Sequence, residues 1–348
     1  MDRSLRGGDT NFLEDDRDIS PETTVGITGT AAAALALVTS YSVARYESRV
    51  FPAKGIGGID IHKADRPFRA EMGGLAVLVA LAVGSALYLG LNFATDGQTV
   101  LFAAVASTVA LTGVVGVADD LMDLSQKVKP FLIVAASIPL MAYLWEIGGI
   151  FVPTIGNVDF GILYPLVAVP LAITTSANFS NLLAGFNGLE SGCAAISIGT
   201  MSYLSWITGH ETVAAFGLIL TSAYLGFLIL NWYPAKIFPG DTGTLVAGAA
   251  LAAIGLASRL EFEAIVLSIP AAMDFALKMN HRRPFKQRHF VGNTKVNPDG
   301  TLDPAPYPAL VHAFMRVSPI KERDLVLSVL AMQALFALSA TIILLRFG

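Results

Sequence analysis

The chain has 348 residues, of which 54% are hydrophobic and only 14% are charged; its formal net charge is -4 and its mean hydropathy is +0.61. A soluble domain carries about 25% charged residues. Charge-free apolar runs of about 20 residues recur along the chain, and this length matches the roughly 30 Å hydrocarbon layer of a bilayer. The composition excludes a soluble enzyme, a disordered protein and a basic nucleic-acid-binding protein. It predicts an all-α polytopic membrane protein.

The N-terminal segment, residues 1–23, is polar and contains seven acids against three arginines. It lacks the basic region and cleavage site of a signal peptide, so we expect it to be retained and poorly ordered. Residues 24–348 are predicted to form one transmembrane domain with ten spanning helices. The predicted spans are 24–45, 70–92, 98–118, 129–148, 161–177, 187–208, 211–232, 241–257, 260–279 and 324–346.

The placement of lysine and arginine predicts the orientation of these helices. Eighteen of the 23 basic residues fall in, or at the edges of, the five loops opposite the termini, and such loops are cytoplasmic in most membrane proteins. We therefore expect a cell-membrane protein (endoplasmic reticulum membrane in a eukaryote) with both termini outside. The five loops are 46–69, 119–128, 178–186, 233–240 and 280–323. The single cysteine, Cys193, lies in an apolar run and is expected to be buried.

The strongest polar signal is the acidic sequence after the third apolar segment, which contains Asp119, Asp120 and Asp123. Acids at the edge of a bilayer are costly unless they bind a cation. Asp119 and Asp123 would share one face if the helix continued, with Asp120 about 100° away. Paired carboxylates can bind Mg²⁺ together with phosphate oxygens. Lys127 and Lys129 could neutralise these acids or bind phosphate, and the alternative is an ordinary solvated turn.

Two further cytoplasmic clusters combine oxygen ligands with glycine. Residues 178–190 contain three asparagines and two glycines without a basic residue. Amide oxygens can bind a metal and amides can bind a nucleotide, although Asn187-Gly188 is also a common turn sequence. Asp241 opens the eighth predicted helix, where it could cap the helix or, with the helix N-terminus, attract phosphate.

The remaining clusters lie before the second helix and in the long loop 280–323. The stretches 60–67 and 71–74 are expected to help shape the same cavity. The basic stretch 281–289 could bind a diphosphate, or it could be a flank attracted to anionic lipid. Residues 307–320 have the pattern of an amphipathic helix on the membrane surface. No histidine has the spacing of a zinc ligand.

In combination these motifs resemble the polyprenyl-phosphate N-acetylhexosamine-1-phosphate transferase superfamily (glycosyltransferase 4 family), and in particular its dolichyl-phosphate branch in eukaryotes and archaea. Four motifs carry the resemblance: the aspartate pair, the lysine at position 129, the Gly-Asp at position 241 and the sequence Leu-Ala-Gly-x-Asn-Gly-Leu-Glu at 183–190. Members that build the peptidoglycan lipid have an acid where this chain has Ala184. The family reads Arg-His-Arg-x-Pro in the basic loop, whereas this chain has Asn280 before His281.

The resemblance implies transfer of N-acetylglucosamine-1-phosphate from UDP-GlcNAc to dolichyl or polyprenyl phosphate at the cytoplasmic face. UMP is released, and lipid-linked oligosaccharide synthesis for protein glycosylation begins. Alternatives are another UDP-N-acetylhexosamine, an intramembrane prenyltransferase or a lipid-linked sugar transporter. The implied partners are these substrates and membrane lipid; a homodimer stays open and no nucleic acid is expected.

The resemblance also implies a role for each matching residue. Asp119, Asp120 and Lys129 would be catalytic, with either aspartate acting on the acceptor phosphate. Asp241 and Asn181 would hold Mg²⁺, with Mn²⁺ as an alternative. The expected substrate-binding residues are Asn187, Glu190, His281, Arg282, Arg283, Arg288, Lys63 and Glu71.

Overall fold

Helices account for most of the chain, as the apolar composition predicts. The structure is a computed structural model that describes residues 21–92, 97–125, 127–152, 155–183, 185–279 and 294–347. The helices are α1 Pro21–Ala53, α2 Gly74–Leu91, α3 Gly97–Met122, α4 Val128–Ala136, α5 Ile138–Tyr143, α6 Val169–Leu182, α7 Leu189–Ile207, α8 Glu211–Asn231, α9 Gly240–Ala257, α10 Glu261–Met279, α11 Leu310–Val317 and α12 Glu322–Phe347, and a π-helical turn, Tyr164–Ala168, precedes α6.

Six of the described helices are long and apolar enough to cross a membrane: α1 (from Gly26), α2, α3, α8, α9 and α12. The chain is therefore a polytopic, mostly helical membrane protein. α10 carries four charged side chains (Glu261, Glu263, Asp274 and Lys278), which is why it falls outside this set. The expected count of ten spans is not confirmed by these lengths and compositions.

Short antiparallel strand pairs fix the loops between helices. β1 (Gly57–Ile59) pairs with β2 (Phe68–Ala70), β3 (Gly149–Val152) with β4 (Gly156–Asp159), and β5 (Lys295–Val296) and β7 (Ile320–Lys321) flank β6 (Thr301–Asp303). β2 also contacts the segment before α9, because the N–H of Phe238 donates to the carbonyl of Ala70 at 2.8 Å. The starts of α2 and α9 are thus joined by backbone hydrogen bonds.

Several predicted boundaries are wrong. The predicted loop 178–186 is helical up to Leu182, so Asn181 lies in the last turn of α6. The predicted span 129–148 is divided at Ser137 into α4 and α5, where Pro139 cannot donate to a preceding carbonyl. α3 ends at Met122 and Asp123 has a positive φ of 52°. Asp119 and Asp123 therefore do not share a helical face.

The core is centred on α9, which is rich in glycine and alanine. Every residue from Thr242 to Ala257 is buried, and α2, α3, α6 and α7 pack around them. A Cβ at Gly248 would overlap the carbonyl oxygen of Ser176 on α6. Small residues permit this close approach of helices in a membrane. Cys193 is buried, as predicted.

The amphipathic segment near the C-terminus packs on the protein. α11 forms within the predicted range 307–320, and its apolar residues Leu310, Val311 and Met315 are buried in a cluster with α12. The N–H of Leu310 donates to Asp274 of α10 at 2.8 Å. The expectation that this face rests on the membrane surface is therefore wrong for these three side chains.

Candidate active site

Three helix ends bring two acids and a lysine into direct contact. Lys129, in the first turn of α4, forms an ion pair with Asp119 from the last turn of α3. Its Nζ lies 3.3 Å from Oδ2 of Asp241 in the first turn of α9. The side chains of Asp119 and Lys129 are 4% and 3% exposed, whereas that of Asp241 is 33% exposed. Asp241 is therefore the most exposed member of this trio.

Asn181 completes this cluster from the end of α6. Its side-chain amide lies near the carboxylate of Asp241 and helps to stabilise that charge, and the carboxyl group of Asp119 lies near the same carboxylate. The predicted catalytic and metal-binding residues therefore meet at one end of the helix bundle. Their roles are not tested by position alone and stay predictions.

Asp120 has a different environment from Asp119. Its Oδ1 accepts the N–H of Asp241 at 2.7 Å, and its Oδ2 accepts the N–H and the hydroxyl of Thr242 at 3.1 and 2.6 Å. These are the N–H groups that the start of a helix leaves without partners. Asp120 from α3 therefore caps α9. The sequence suggested that Asp241 could cap its own helix; Asp120 of α3 provides this contact instead.

Glu71 adds a further negative charge. It precedes α2 and lies outside the membrane-spanning segments. Partial burial, followed by the negative charges of Asp120 and Asp241, raises the pKa of Glu71 above its ordinary value. In the described part of this site four acids thus lie near one another, and two of them, Asp119 and Asp241, contact Lys129. An additional cation would relieve their mutual repulsion.

The donor set fits a magnesium ion. Carboxylate and amide oxygens are hard ligands, and Asp241 and Asn181 present both kinds side by side. Within the described chain, no three His, Cys, Asp or Glu side chains converge to form a complete site. Mg²⁺ usually takes one or two carboxylates and fills its octahedron with water and substrate phosphates. The arrangement therefore fits a metal that is completed by a phosphate-bearing substrate.

A second polar network contains Lys63 and Asn187. Lys63 forms an ion pair with Glu322, at the start of α12, and its Nζ lies 4.4 Å from the ring centre of Tyr233. Glu322 also accepts the N–H of Asn187 at 2.9 Å, and the side-chain oxygen of Asn187 accepts the N–H of Ala235 at 2.8 Å. The network joins the 60–67 stretch, the asparagine-rich loop and α12.

Glu190 is buried at the start of α7. Its Oε1 accepts the N–H of Gly185 at 2.6 Å, while its Oε2 has no hydrogen-bond partner among the described residues. Next to it the ring of His62 stacks on Phe186 with ring centres 4.3 Å apart. Glu190 and Asn187 thus shape the loop in this structure, and their direct binding of substrate stays a prediction.

The basic residues His281, Arg282, Arg283 and Arg288 lie outside the described residues.

Sequence reasoning missed two positions that the structure shows in hydrogen-bond networks. Thr242 follows the Gly-Asp motif directly, and a hydroxyl residue at a helix start was a signal for hydrogen bonding there. Glu322 lies 135 residues from its partner Asn187, and no local pattern could have paired them.

Comparison of the sequence with known proteins identifies its family. Residues 101–259, which include Asp119, Lys129, Asn181 and Asp241, match the model of glycosyl transferase family 4. A Saccharolobus solfataricus protein named as a candidate UDP-N-acetylglucosamine–dolichyl-phosphate N-acetylglucosaminephosphotransferase is 36% identical over 82% of this chain and 87% of its own length.

More relatives carry the same name or a related one. A Sulfolobus acidocaldarius protein with the same name is 32% identical over 83% of this chain and 88% of its own length. A phospho-N-acetylmuramoyl-pentapeptide-transferase from Shouchella clausii is 32% identical, over 56% of this chain and 63% of its own length. The chain belongs to glycosyl transferase family 4.

Proposed function

We propose that this chain transfers N-acetylglucosamine-1-phosphate from UDP-GlcNAc to dolichyl or a related polyprenyl phosphate and releases UMP. The observation that carries the proposal is the meeting of Asp119, Lys129, Asn181 and Asp241 at one end of the bundle. The names of the two archaeal relatives give the same reaction. This step begins lipid-linked oligosaccharide synthesis for protein glycosylation.

The bonds change at the phosphorus that carries the sugar. An oxygen of the acceptor phosphate forms a bond to this phosphorus, and the bond to the UMP oxygen breaks, so that UMP leaves with its electron pair. The second pKa of a phosphate monoester is near 6, so the acceptor is largely a dianion at pH 7. Little base catalysis is needed, and positioning and charge neutralisation dominate.

The contacts support distinct roles for the paired aspartates. Asp119 orients Lys129, which binds the acceptor phosphate. Both carboxylate oxygens of Asp120 are engaged by α9, so Asp120 positions Asp241 and does not act on the acceptor. Asp241 and Asn181 would hold Mg²⁺, which would supply positive charge to the diphosphate of the donor.

Donor binding involves the second network and the basic loop. Glu71 lies near Asp120 and Asp241. We assign Lys63, Asn187 and Glu190 to donor binding from the family resemblance, and 281–289 would supply arginines for the diphosphate. We place this site at the cytoplasmic membrane face, with ten spans and both termini outside, because most lysines and arginines fall in the five loops on that side. A homodimer is compatible with this proposal.

A radiolabelled transfer assay tests the reaction. Purified protein would receive dolichyl phosphate, Mg²⁺ and a panel of UDP-N-acetylhexosamines, with UMP and lipid-soluble label as readouts. We expect label from UDP-GlcNAc in the lipid phase with equal UMP. A different preferred sugar would correct the donor, and no transfer from any UDP-sugar would overturn the proposal.

The matched pair Asp241→Asn and Asp324→Asn tests the site. Each changes one acid in the first turn of a helix, but Asp324 is exposed at the start of α12. We expect Asp241→Asn to fold and to lose UMP release at least 100-fold, and Asp324→Asn to retain it. Turnover by Asp241→Asn close to that of the unchanged chain would show that the carboxylate charge of Asp241 is not needed and would contradict the proposed metal site.

A further inference from the structure

A basic pocket lies at the end of α1, apart from the acids of the active site. Its volume is about 370 Å³, and it is bounded by the last turns of α1, by β2 and by the segment that leads to α9. Four cations line it: Arg45, Arg49, Arg69 and Lys236. None of the four belongs to the cluster around Asp241.

The chain folds specifically to bring these charges together. Arg45 and Arg49 are four residues apart and share one helical face. Arg69 comes from β2, and Lys236 follows α8. Arg45, Arg49 and Lys236 are exposed and Arg69 is half-buried. Here three separate segments converge on one cavity.

The pocket contains no acid among its lining residues. None of the four cations forms an ion pair in the part of the chain that the structure describes. Nε of Arg69 is buried without a hydrogen-bond acceptor among those same residues. The acid nearest in sequence, Glu47, is buried on α1 and does not line the cavity. The cations therefore have capacity for an anion.

Apolar side chains form the remaining wall. Pro52, Phe68 and Leu230 line the cavity, and Phe68 is 44% exposed. α1 and α8 are both long and apolar enough to span the membrane, and the pocket lies where they meet β2. Arginine matches phosphate with paired N–H donors, and basic pockets between helices at the cytoplasmic membrane edge suit phosphorylated lipid head groups.

We propose that this pocket binds the phosphate group of an anionic membrane lipid, with Arg49, Arg69 and Lys236 on the phosphate and Phe68 beside the glycerol and first acyl carbons. The chemistry shared with a soluble ligand is the phosphate itself. The apolar wall and the position at the ends of two membrane helices favour a lipid source.

Native mass spectrometry of the full chain in detergent tests this proposal, with phosphatidylglycerol and phosphatidylcholine as probes. The test variant is Arg49→Gln/Lys236→Gln. The control is Lys54→Gln/Lys321→Gln, which removes two exposed lysines outside the pocket and gives the same change in net charge. We expect the unchanged chain and the control to bind phosphatidylglycerol at least tenfold more tightly than phosphatidylcholine, and the test variant to lose this preference.

A competition arm separates the two sources of phosphate and does not depend on folding of the variant. Inorganic phosphate and glycerol phosphate are added to the unchanged chain after it has bound phosphatidylglycerol. Retention of the lipid at millimolar phosphate supports the proposal. Displacement by equal concentrations of free phosphate would assign the pocket to a soluble anion and overturn the lipid assignment. Unchanged lipid preference in a folded Arg49→Gln/Lys236→Gln protein would overturn the site.

Discussion

Asp120 on α3 accepts the backbone N–H of Asp241 at 2.7 Å, so one acid of the family's aspartate pair fixes the backbone of the proposed metal ligand. The two residues are 121 positions apart. The bond places the Asp241 side chain beside Lys129 while its own N–H is satisfied. Substitutions of Asp120 and of Asp119 should therefore have different effects on stability and turnover.

Asp120→Ala should lower both stability and turnover. It removes the acceptor for the N–H groups of Asp241 and Thr242, and loss of a helix cap costs about 0.5–2 kcal/mol. We expect a lower thermal midpoint and at least a tenfold loss of UMP release. Asp120→Asn retains one acceptor oxygen and should recover part of both. Full activity of Asp120→Ala would show that the cap does not position Asp241.

Lys129→Met should destabilise the fold as well as abolish transfer. It leaves the buried carboxylate of Asp119 without its cation, and breaking a buried ion pair costs about 3–5 kcal/mol. The double variant Asp119→Asn/Lys129→Met should regain much of the stability, because no charge is left unpaired, yet stay inactive. Denaturant titration of both variants measures this coupling. Recovery of activity in the double variant would contradict the proposed role of Lys129.

Glu322→Ala should raise the KM for UDP-GlcNAc more than it lowers kcat. The carboxylate orients Lys63 and accepts the N–H of Asn187, so its loss frees the asparagine-rich loop without touching Asp241. We expect about a tenfold rise in KM. Steady-state kinetics measures KM and kcat separately. The control is Arg323→Ala, which changes an exposed neighbour. An effect confined to kcat would place Glu322 in the chemical step instead.

Gly248→Ala should separate α6 from α9, because the added Cβ would overlap the carbonyl of Ser176. Overpacking of this kind costs about 1–3 kcal/mol, and it should also move Asn181 away from Asp241. Gly90→Ala is the matched control, since a Cβ there meets nothing within 4 Å. The midpoint of thermal unfolding and the rate of UMP release should fall only for Gly248→Ala. Equal midpoints and rates in the two variants would contradict the close packing of α6 on α9.

The segment around His312 should loosen in mild acid. Burial, and then the nearby charges of Arg316 and Lys278, lower the pKa of His312, although the carbonyl of Tyr307 opposes this. Since the folded pKa lies below the unfolded value near 6.5, stability is complete above that value and is lost as pH falls through the folded pKa. Backbone hydrogen exchange of residues 294–317 should therefore be faster at pH 5.5 than at pH 8, after correction for the intrinsic rate.

His312→Gln is the control for that experiment. It keeps polar atoms near Tyr307 and Thr294 but has no proton to gain in this range. Exchange of this segment in His312→Gln should therefore be independent of pH after correction for the intrinsic rate. A persistent acid-dependent increase would assign the effect to another group.

The sequence predicted the membrane class and the cluster residues because both depend on local patterns. Apolar runs identify spans by length, and Asp119, Lys129 and Asp241 stood at ends of such runs. The cap made by Asp120 could not be predicted, since it depends on how α3 packs against α9. The extension of α6 through Asn181 was missed because asparagine-rich sequence resembles a loop.

The basic pocket was also beyond sequence reasoning, for a physical reason. Arg45 and Arg49 belong to the charges that predict orientation, and that argument counts lysines and arginines without placing them in space. Only the pairing of β1 with β2, and of β2 with the segment before α9, brings Arg69 and Lys236 to the same cavity. The number of lysines and arginines in each loop predicts which side of the membrane the loop is on, but not which of these side chains meet in the folded chain.

The bond between Asp120 and α9 also has a consequence for biogenesis. A nascent chain that has been synthesised only as far as α8 already contains Asp119, Asp120 and Lys129, but not the N–H groups that Asp120 accepts. Asp119 and Lys129 can neutralise each other at that stage, whereas Asp120 must wait for α9 to insert. The cluster of Asp119, Lys129, Asn181 and Asp241 therefore cannot form in a chain that ends before α9.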